Sequence, residues 1–548
     1  FRCLKPLLPR LHGIITAEEA FDLLESFFSG QRDSQSSSAS PYVVTQVLRP
    51  SAILHPTNPR PISQALVAVM LFCVAQTADM KLFDPPGARQ RITTELYRLS
   101  LALVELEDPD NYSRTPDGWH FHSAGSSKQD GHWPSPTGSF EGCIDNQPGS
   151  VDAIFATVIL VLVISGSHFK ADSLKWLAKA ARLVRASGIA MQDEKHEASG
   201  PVSPISHEGC ASFRSQLIAD EERRRLFWLI YCLERHLGLA FNLTLGIPDG
   251  TFRVFTPLPE RVWDQMEDIP LHCLPPRSFG PPSQITGTGF FEYFLPLMVI
   301  LGNIMHLHHC QFHPMLGGFP NEEAVLQIES MLSQRQQDLI KLDARGRLYS
   351  FGKSILEENA SHVRNLSLLA TDGAREDSRL PFVVAYSTYI LHVLYVLLHG
   401  KWDPISMIED NDDWITSAKF VTCASHAISA SEALSKILSL DPELVFMPYL
   451  FGIYLLQGSF IVLLFADRMP QLGQNKPVAE ICETIIRAHE VSAITLDTLF
   501  QKNFRKVLRS MLYDVQDMNQ RFGSGQKARR RELLSLYRWT PGSNGLAY

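Results

Sequence analysis

The chain has 548 residues, 45% of them hydrophobic and 20% charged, which excludes wholesale disorder and leaves apolar material for roughly three or four domains. Fifty Lys and Arg against 58 Asp and Glu give a net charge of −8, so the broad basic surface that usually carries nucleic-acid affinity is missing. Nine cysteines, scattered singly and odd in number, point to reduced thiols rather than a disulfide scaffold or a cysteine metal knuckle.

In chain order, residues 1–28 read as a helical lead-in, apolar with interspersed Arg2, Lys5 and Arg10, and without a secretory pattern. Opening on Phe1, the sequence reads as a fragment, a processed product or a truncated gene product. A Ser-rich linker follows at 29–40, and a polar insert rich in Gly, Pro and Ser occupies about 108–150. Ala153–Ile164 is an apolar run of about 18 Å, short of the ~30 Å hydrocarbon thickness. Gln192–Ser215 reads as a polar loop. Leu226, Ile230, Leu233 and Leu237 recur at helical spacing, with Asp220, Glu221 and Glu222 expected at that helix's N-terminus. Leu274–Gly289 is another polar loop, and Phe290–Leu307 a buried helix. Residues 344–380 read as a polar linker. A helix from near Val383 stops at Gly400, and one through Ile428, Leu434 and Ile437 stops at Asp441. Pro448–Ala466 is apolar but interrupted by Gln457, Gly458 and Ser459, which favours a core helix over a membrane span. Ile485, Ile486, Val491 and Ile494 mark a last amphipathic helix. Alternating strand patterns are nearly absent. The expected fold is all-α: a large, soluble helical body with long polar loops.

Several chemical motifs fail on spacing. Gly346 to Lys353 and Ser354 resembles a phosphate loop but has five residues between its glycines, not four, and no preceding strand. His489-Glu490 would open a zinc-protease helix, but Ala493 stands at the second ligand. The acidic run from Glu409 to Asp413 resembles a magnesium-diphosphate motif, yet Phe420 occupies a ligand position. His306, His308, His309 and His313 with Cys310 divide between two helix faces, so they read as a helix end more readily than as one tetrahedral site.

The segment DEERRRLFWLIYCLERH, residues 220–236, places three arginines in one turn. They suit that turn only if they pair with carboxylates from elsewhere in the fold, as inter-helix salt bridges or as a regulatory switch element. Its pattern of Glu222, Arg223, Arg224, Arg225, Trp228, Tyr231, Glu234 and Arg235, running on to Asn242, resembles the signature of the fungal-specific regulatory domain of zinc-cluster transcription factors. More narrowly, the chain is similar to the xylanolytic transcriptional activators of filamentous fungi. Supporting blocks are LHPTNPR at 54–60, AQT at 75–77, FLPLM at 294–298, ILG at 300–302, HH at 308–309, HP at 313–314, VAYST at 384–388, KWDP at 401–404, LLQGSF at 455–460 and RRRELLSLYRWT at 529–540. Glu234 stands where such motifs usually carry Asp.

The resemblance implies a regulatory body, its first part at 41–343 and a C-terminal regulatory and activation part at 381–548. It implies a nuclear activator, with cytoplasmic shuttling as an option, that responds to a sugar-derived inducer and works through coactivators or corepressors. Family members hold DNA through a six-cysteine zinc cluster. No CxxC exists here, so neither that cluster nor any other cofactor is expected within this chain. Trp402, Asp403, Asp410, Asp412, Asp413 and Trp414 form a candidate coactivator contact, against the plainer reading of an ordered loop capping the next helix. Lys527, Arg529, Arg530 and Arg531 form a candidate nuclear-import patch. The alternatives are a regulator without a DNA-binding domain that acts through protein partners, a regulator of another sugar or metabolite cluster, and an enzyme, which the failed motifs do not support.

Overall fold

The structure, a computed structural model, describes residues 2–29, 40–107, 151–166, 170–194, 210–313, 315, 321–359, 367–409, 413–472, 476–496, 504–506, 508–509, 531–532, 534–535 and 537. Its main helices are α1 (Ala17–Ser29), α2 (Gln64–Ala75), α3 (Ala88–Leu106), α4 (Val151–Ser165), α5 (Lys170–Ala186), α6 (Cys210–Phe241), α7 (Phe290–Gln311), α8 (Glu322–Asn359), α9 (Ser367–His399), α10 (Ala418–Leu440), α11 (Pro448–Leu472) and α12 (Lys476–Thr495). Among the described residues the only strand-like pairing is an isolated antiparallel bridge between Phe255 and Phe279. The fold is all-α.

Two helices are apolar on every side, and they lie innermost. From Ala65 to Ala75 every residue of α2 is buried, and α4 is buried from Ile154 to Ser165, so neither needs a polar face. Helix α2 packs between α1, α3 and α4, while α4 also meets α5 and α6. On the other side α9 lies along α10, α8 and α7, and α11 crosses to α6. One hydrophobic cluster runs from Cys3 to Tyr537, drawing side chains from both sides of the 344–380 segment.

Local chemistry accounts for many helix ends. Ser63 caps α2 by accepting the Leu66 N–H at 3.1 Å, and Ser417 caps α10 by accepting the Phe420 N–H at 3.2 Å. Helix α6 ends where Asn242 takes a left-handed φ of 54°. Pro296 sits inside α7 without breaking it. The Glu292 carbonyl that it leaves unpartnered receives the Thr286 N–H instead.

The sequence and structure differ in instructive places. Helix α6 begins at Cys210, inside the segment read as a polar loop, so Asp220–Glu222 lie mid-helix and cap nothing. The 344–380 segment carries the end of α8 and the start of α9. Ile428 and Ile494, counted in apolar stripes, are exposed, whereas Ile437 and Ile485 are core. The Ser-rich stretch from 30 to 39 and the insert at 108–150 lie outside the described residues. Phe290–Gln311, Ser378–His399 and Pro448–Phe465 are long and apolar enough to cross a membrane, but most of each is buried against neighbouring helices, as core helices would be.

Candidate functional site

Every residue of α6 from Glu221 to Phe241 is buried except Arg223, so its charged groups must find partners inside the protein. Arg224 presents a fork to Asp193, with Nε to Oδ2 at 2.9 Å and Nη2 to Oδ1 at 2.6 Å. Asp193 also accepts the Phe255 N–H at 2.8 Å. Burial pushes the Asp193 carboxyl up, but the hydrogen bonds and charge of Arg224, with the Phe255 N–H, overcome it and hold it below the usual range. Glu221 accepts the Leu258 N–H at 2.6 Å and Arg277 Nη1 at 2.6 Å. Arg225 donates to the carbonyls of Gln46 and Leu258 at 2.8 and 3.2 Å and lies beside the rings of Trp263 and Phe291.

One and two turns onward the pattern repeats. Trp228 Nε1 donates to the Phe255 carbonyl at 2.8 Å. Tyr231 Oη donates to Asp249 Oδ1 at 2.6 Å, and Arg235 Nη2 reaches the same oxygen at 2.9 Å and the Ile247 carbonyl at 3.1 Å. Glu234 accepts the N–H groups of Gly246 and Ile247 at 2.8 and 3.0 Å. Burial raises its carboxyl, with Arg235 and those two N–H groups opposing. His236 is buried beside Tyr449 and Tyr454, and burial pulls its pKa to about 3.

This arrangement has a physical rationale. The segment from Leu243 to Gly289 has only a short helix at Glu260–Asp264, a 3-10 turn and one isolated bridge to satisfy its buried backbone groups. Residues 246, 247, 255 and 258 are held instead by side chains of α6. The motif is an arginine and carboxylate hub that fastens loops to a central helix.

Glu222 extends the hub to the far side. Arg60 Nε meets Glu222 Oε2 at 3.0 Å, and its Nη1 meets Asp152 Oδ1 at 2.8 Å. The other Asp152 oxygen accepts the Ser63 N–H at 2.8 Å, and Glu107 accepts the Ala65 N–H at 3.4 Å. The carboxylates flanking the 108–150 insert thus both sit at the first turn of α2, where amide hydrogens are free and the dipole favours anions. Burial raises the Glu222 carboxyl against the opposing charge of Arg60, and it raises Glu107 as well.

Of the residues the sequence brought forward, Arg224, Arg225, Trp228, Tyr231, Glu234, Arg235, Glu221 and Glu222 converge here. Arg223 faces outward and pairs with Asp220 within the same helix. Of the three adjacent arginines only Arg224 takes its main partner from a distant carboxylate; Arg225 goes to carbonyls. Asp152, Asp193, Asp249 and Arg277 were missed. Three arginines in one turn signalled that carboxylates must exist, but isolated acids in loops carry no mark of their partner.

The other candidates separate from the hub. Trp402 and Trp414, from the candidate coactivator contact, are buried: the indole of Trp402 stacks on His308 at 4.0 Å and donates to the Leu397 carbonyl, and Trp414 donates to the His399 carbonyl. Asp403 caps the short helix Pro404–Glu409 by accepting from Ser406 N and Oγ at 3.0 and 2.6 Å. Asp413 is exposed, while Asp410 and Asp412 lie outside the described residues, as do Lys527, Arg529 and Arg530. Arg531 pairs with Glu409 at 2.7 Å. His306 and His313 are exposed, and His309 faces the Leu243 carbonyl. Among the described residues no group of three or more His, Cys, Asp or Glu is arranged to hold a metal. Cys3, Cys73, Cys232, Cys423 and Cys482 are buried free thiols, and Cys273 and Cys310 are exposed ones.

No family model matches the chain, and no solved structure matches it. Over 99% of its length it is 38% identical to the xylanolytic transcriptional activator xlnR of Aspergillus niger, 38% to that of Emericella nidulans and 37% to that of Aspergillus terreus. The chain is homologous to xylanolytic transcriptional activators. It spans 61%, 63% and 60% of those three proteins. The similarity therefore takes in the α6 motif and the loops it gathers, as the resemblance of the motif blocks implied.

Proposed function

We propose that this chain is the regulatory region of a fungal nuclear transcriptional activator controlling genes for xylan and cellulose breakdown in response to a sugar-derived signal. The observation that carries this reading is similarity along 99% of the chain to relatives named as xylanolytic transcriptional activators. DNA would be held by a zinc cluster outside these 548 residues, which agrees with the net charge of −8. Regulation follows from population shift: an inducer, coactivator or corepressor that binds one packing of the helices better than another moves the balance between them. The α6 hub is the natural element to repack. It joins segments around residues 46, 60, 152, 193, 249, 258 and 277, and its buried charges tolerate few arrangements.

The test is a fusion of the full chain to a heterologous DNA-binding domain, with a reporter in a filamentous fungus grown with and without xylan. Reporter output that rises only with xylan is the expected result. Output that is equal in both conditions overturns the reading. The second reading is a regulator acting through protein partners alone. A transcript that encodes no cysteine cluster upstream of Phe1 would select it.

A further inference from the structure

A second polar cluster lies between α9 and α10, the pair of helices with the most extensive mutual contact. His392, buried on α9, and His426, half-buried on α10, face each other with their Nδ1 atoms 2.9 Å apart. The ring of Tyr395 lies flat on the His426 imidazole, centroids 3.8 Å apart and planes within 3°, which fixes that ring's orientation. Two Nδ1 atoms approach this closely when a single proton lies between them, or when a cation accepts both lone pairs. Burial holds both rings neutral, lowering His426 and pulling His392 to about 4, with the charge of His426 adding to the effect on His392. Neutral imidazole is the form that binds metal.

We propose that His392 and His426 form a two-histidine chelate for a borderline divalent transition-metal cation of the Zn²⁺ class, with water entering from the His426 side to complete its coordination. Histidine nitrogens 2.0–2.1 Å from a tetrahedral ion stand about 3.3 Å apart, so the rings separate by a few tenths of an ångström and tilt, mainly at His392, until both lone pairs meet at the ion. The ring that carries the shared proton moves to its Nε2–H tautomer. Two nitrogen–metal bonds and two retained waters then replace the six metal–water bonds of the hydrated ion, four waters leave, and no proton is released. Nitrogen donors exclude Mg²⁺ and Ca²⁺, which require oxygen.

The surroundings agree with this assignment. Cys423, on α10, donates its thiol to the Val396 carbonyl, and burial pushes that thiol up to about 12, so it is not a ligand. On α8, Glu329 meets His399 at 3.0 Å and sets a negative charge near Tyr395, while Lys419 adds an opposing charge near His399. With two protein ligands the site is far weaker than a closed four-ligand zinc site. Its effect is to staple α9 to α10.

The experiment uses the full chain and Zn²⁺ alone, with Mg²⁺ as the control cation. The expected result is a thermal midpoint that rises with Zn²⁺ and not with Mg²⁺. His426→Asn should lose that response and bind Zn²⁺ at least about tenfold more weakly, while His306→Asn, at an exposed histidine, should keep it. Calorimetry at neutral pH in two buffers of different ionisation enthalpy should give the same binding heat, because no proton is released. Protection of His426 from diethyl pyrocarbonate by Zn²⁺, read by mass spectrometry on the unmodified chain, requires no variant to fold. Equal Zn²⁺ responses in the original chain and His426→Asn, or labelling of His426 unchanged by Zn²⁺, overturn the proposal and leave a shared-proton pair.

Discussion

Replacing Arg224 with methionine, beside the same replacement at Arg223, isolates the energetics of the hub. The two residues are neighbours on one turn with opposite surroundings. The Arg224 side chain is 4% exposed and forks onto Asp193, itself 1% exposed, whereas Arg223 is 41% exposed and meets Asp220 at 3.1 Å. Methionine keeps helix propensity and much of the aliphatic stem, so the change removes mainly the charged fork. Asp193 would keep the Phe255 N–H but lose both bonds to Arg224. Removing one partner of a buried pair costs about 3–5 kcal/mol, against less than about 1 kcal/mol for an exposed pair. Hydrogen exchange at the Phe255 amide is the direct assay, because Asp193 holds it. Loss of about 3 kcal/mol should speed exchange on the order of a hundredfold in Arg224→Met and leave Arg223→Met unchanged. Adding Asp193→Asn removes the stranded charge and should recover at least about 1 kcal/mol. The pH dependence has a definite sign. Asp193 is depressed in the fold, so its contribution is present above the unfolded value of about 3.9 and is lost as pH falls through the lower folded value. The gap between the original chain and Arg224→Met should therefore narrow below about pH 4. Equal costs for the two arginine replacements would refute the reasoning.

Two further outcomes follow from the same packing. A Cβ added at Gly302 on α7 would stand 2.7 Å from Arg235 Nε, and Arg235 is held by Asp249, Ile247 and Tyr231 oxygens, so Gly302→Ala should cost about 1–3 kcal/mol in urea unfolding despite its better helix propensity; a stabilised variant would show that Arg235 is free to move. His236 stays neutral in the fold with its pKa near 3, and its Nδ1 has no partner, so the unfolded chain alone takes up a proton below about pH 6.5 and stability falls by about 2 kcal/mol at pH 5. His236→Phe should lessen the fall in stability between pH 6.5 and 5 by about 2 kcal/mol, with buried His392 and His489 supplying the rest, and an unchanged slope would remove His236 as a source.

Much of the architecture is written locally. Periodic apolar positions marked α6, α9, α10 and α12, Gly400 and Asp441 follow the last residues of α9 and α10, and an apolar run at 153–164 broken only by Thr157 is enough to require burial on all sides. Ile428 and Ile494 show the limit of periodicity, since an apolar stripe wider than the partner that covers it leaves its margin in water. Trp402 and Trp414 show another: acidic and aromatic composition reads as a contact surface, yet the carbonyls of Leu397 and His399 take both indole N–H groups inward. Asp220–Glu222 read as a helix start only because nothing in the polar stretch before them announced ten more residues of helix. The sequence by itself determined the helical class, several of the helices and the α6 motif, because capping and amphipathicity act over a few residues. Only the tertiary structure decided what the motif does. Arg224 finds Asp193 across 31 positions, Arg60 finds Glu222 across 162 and Arg225 finds Gln46 across 179, and at such separations a charge's partner is set by which helices pack together, not by spacing along the chain.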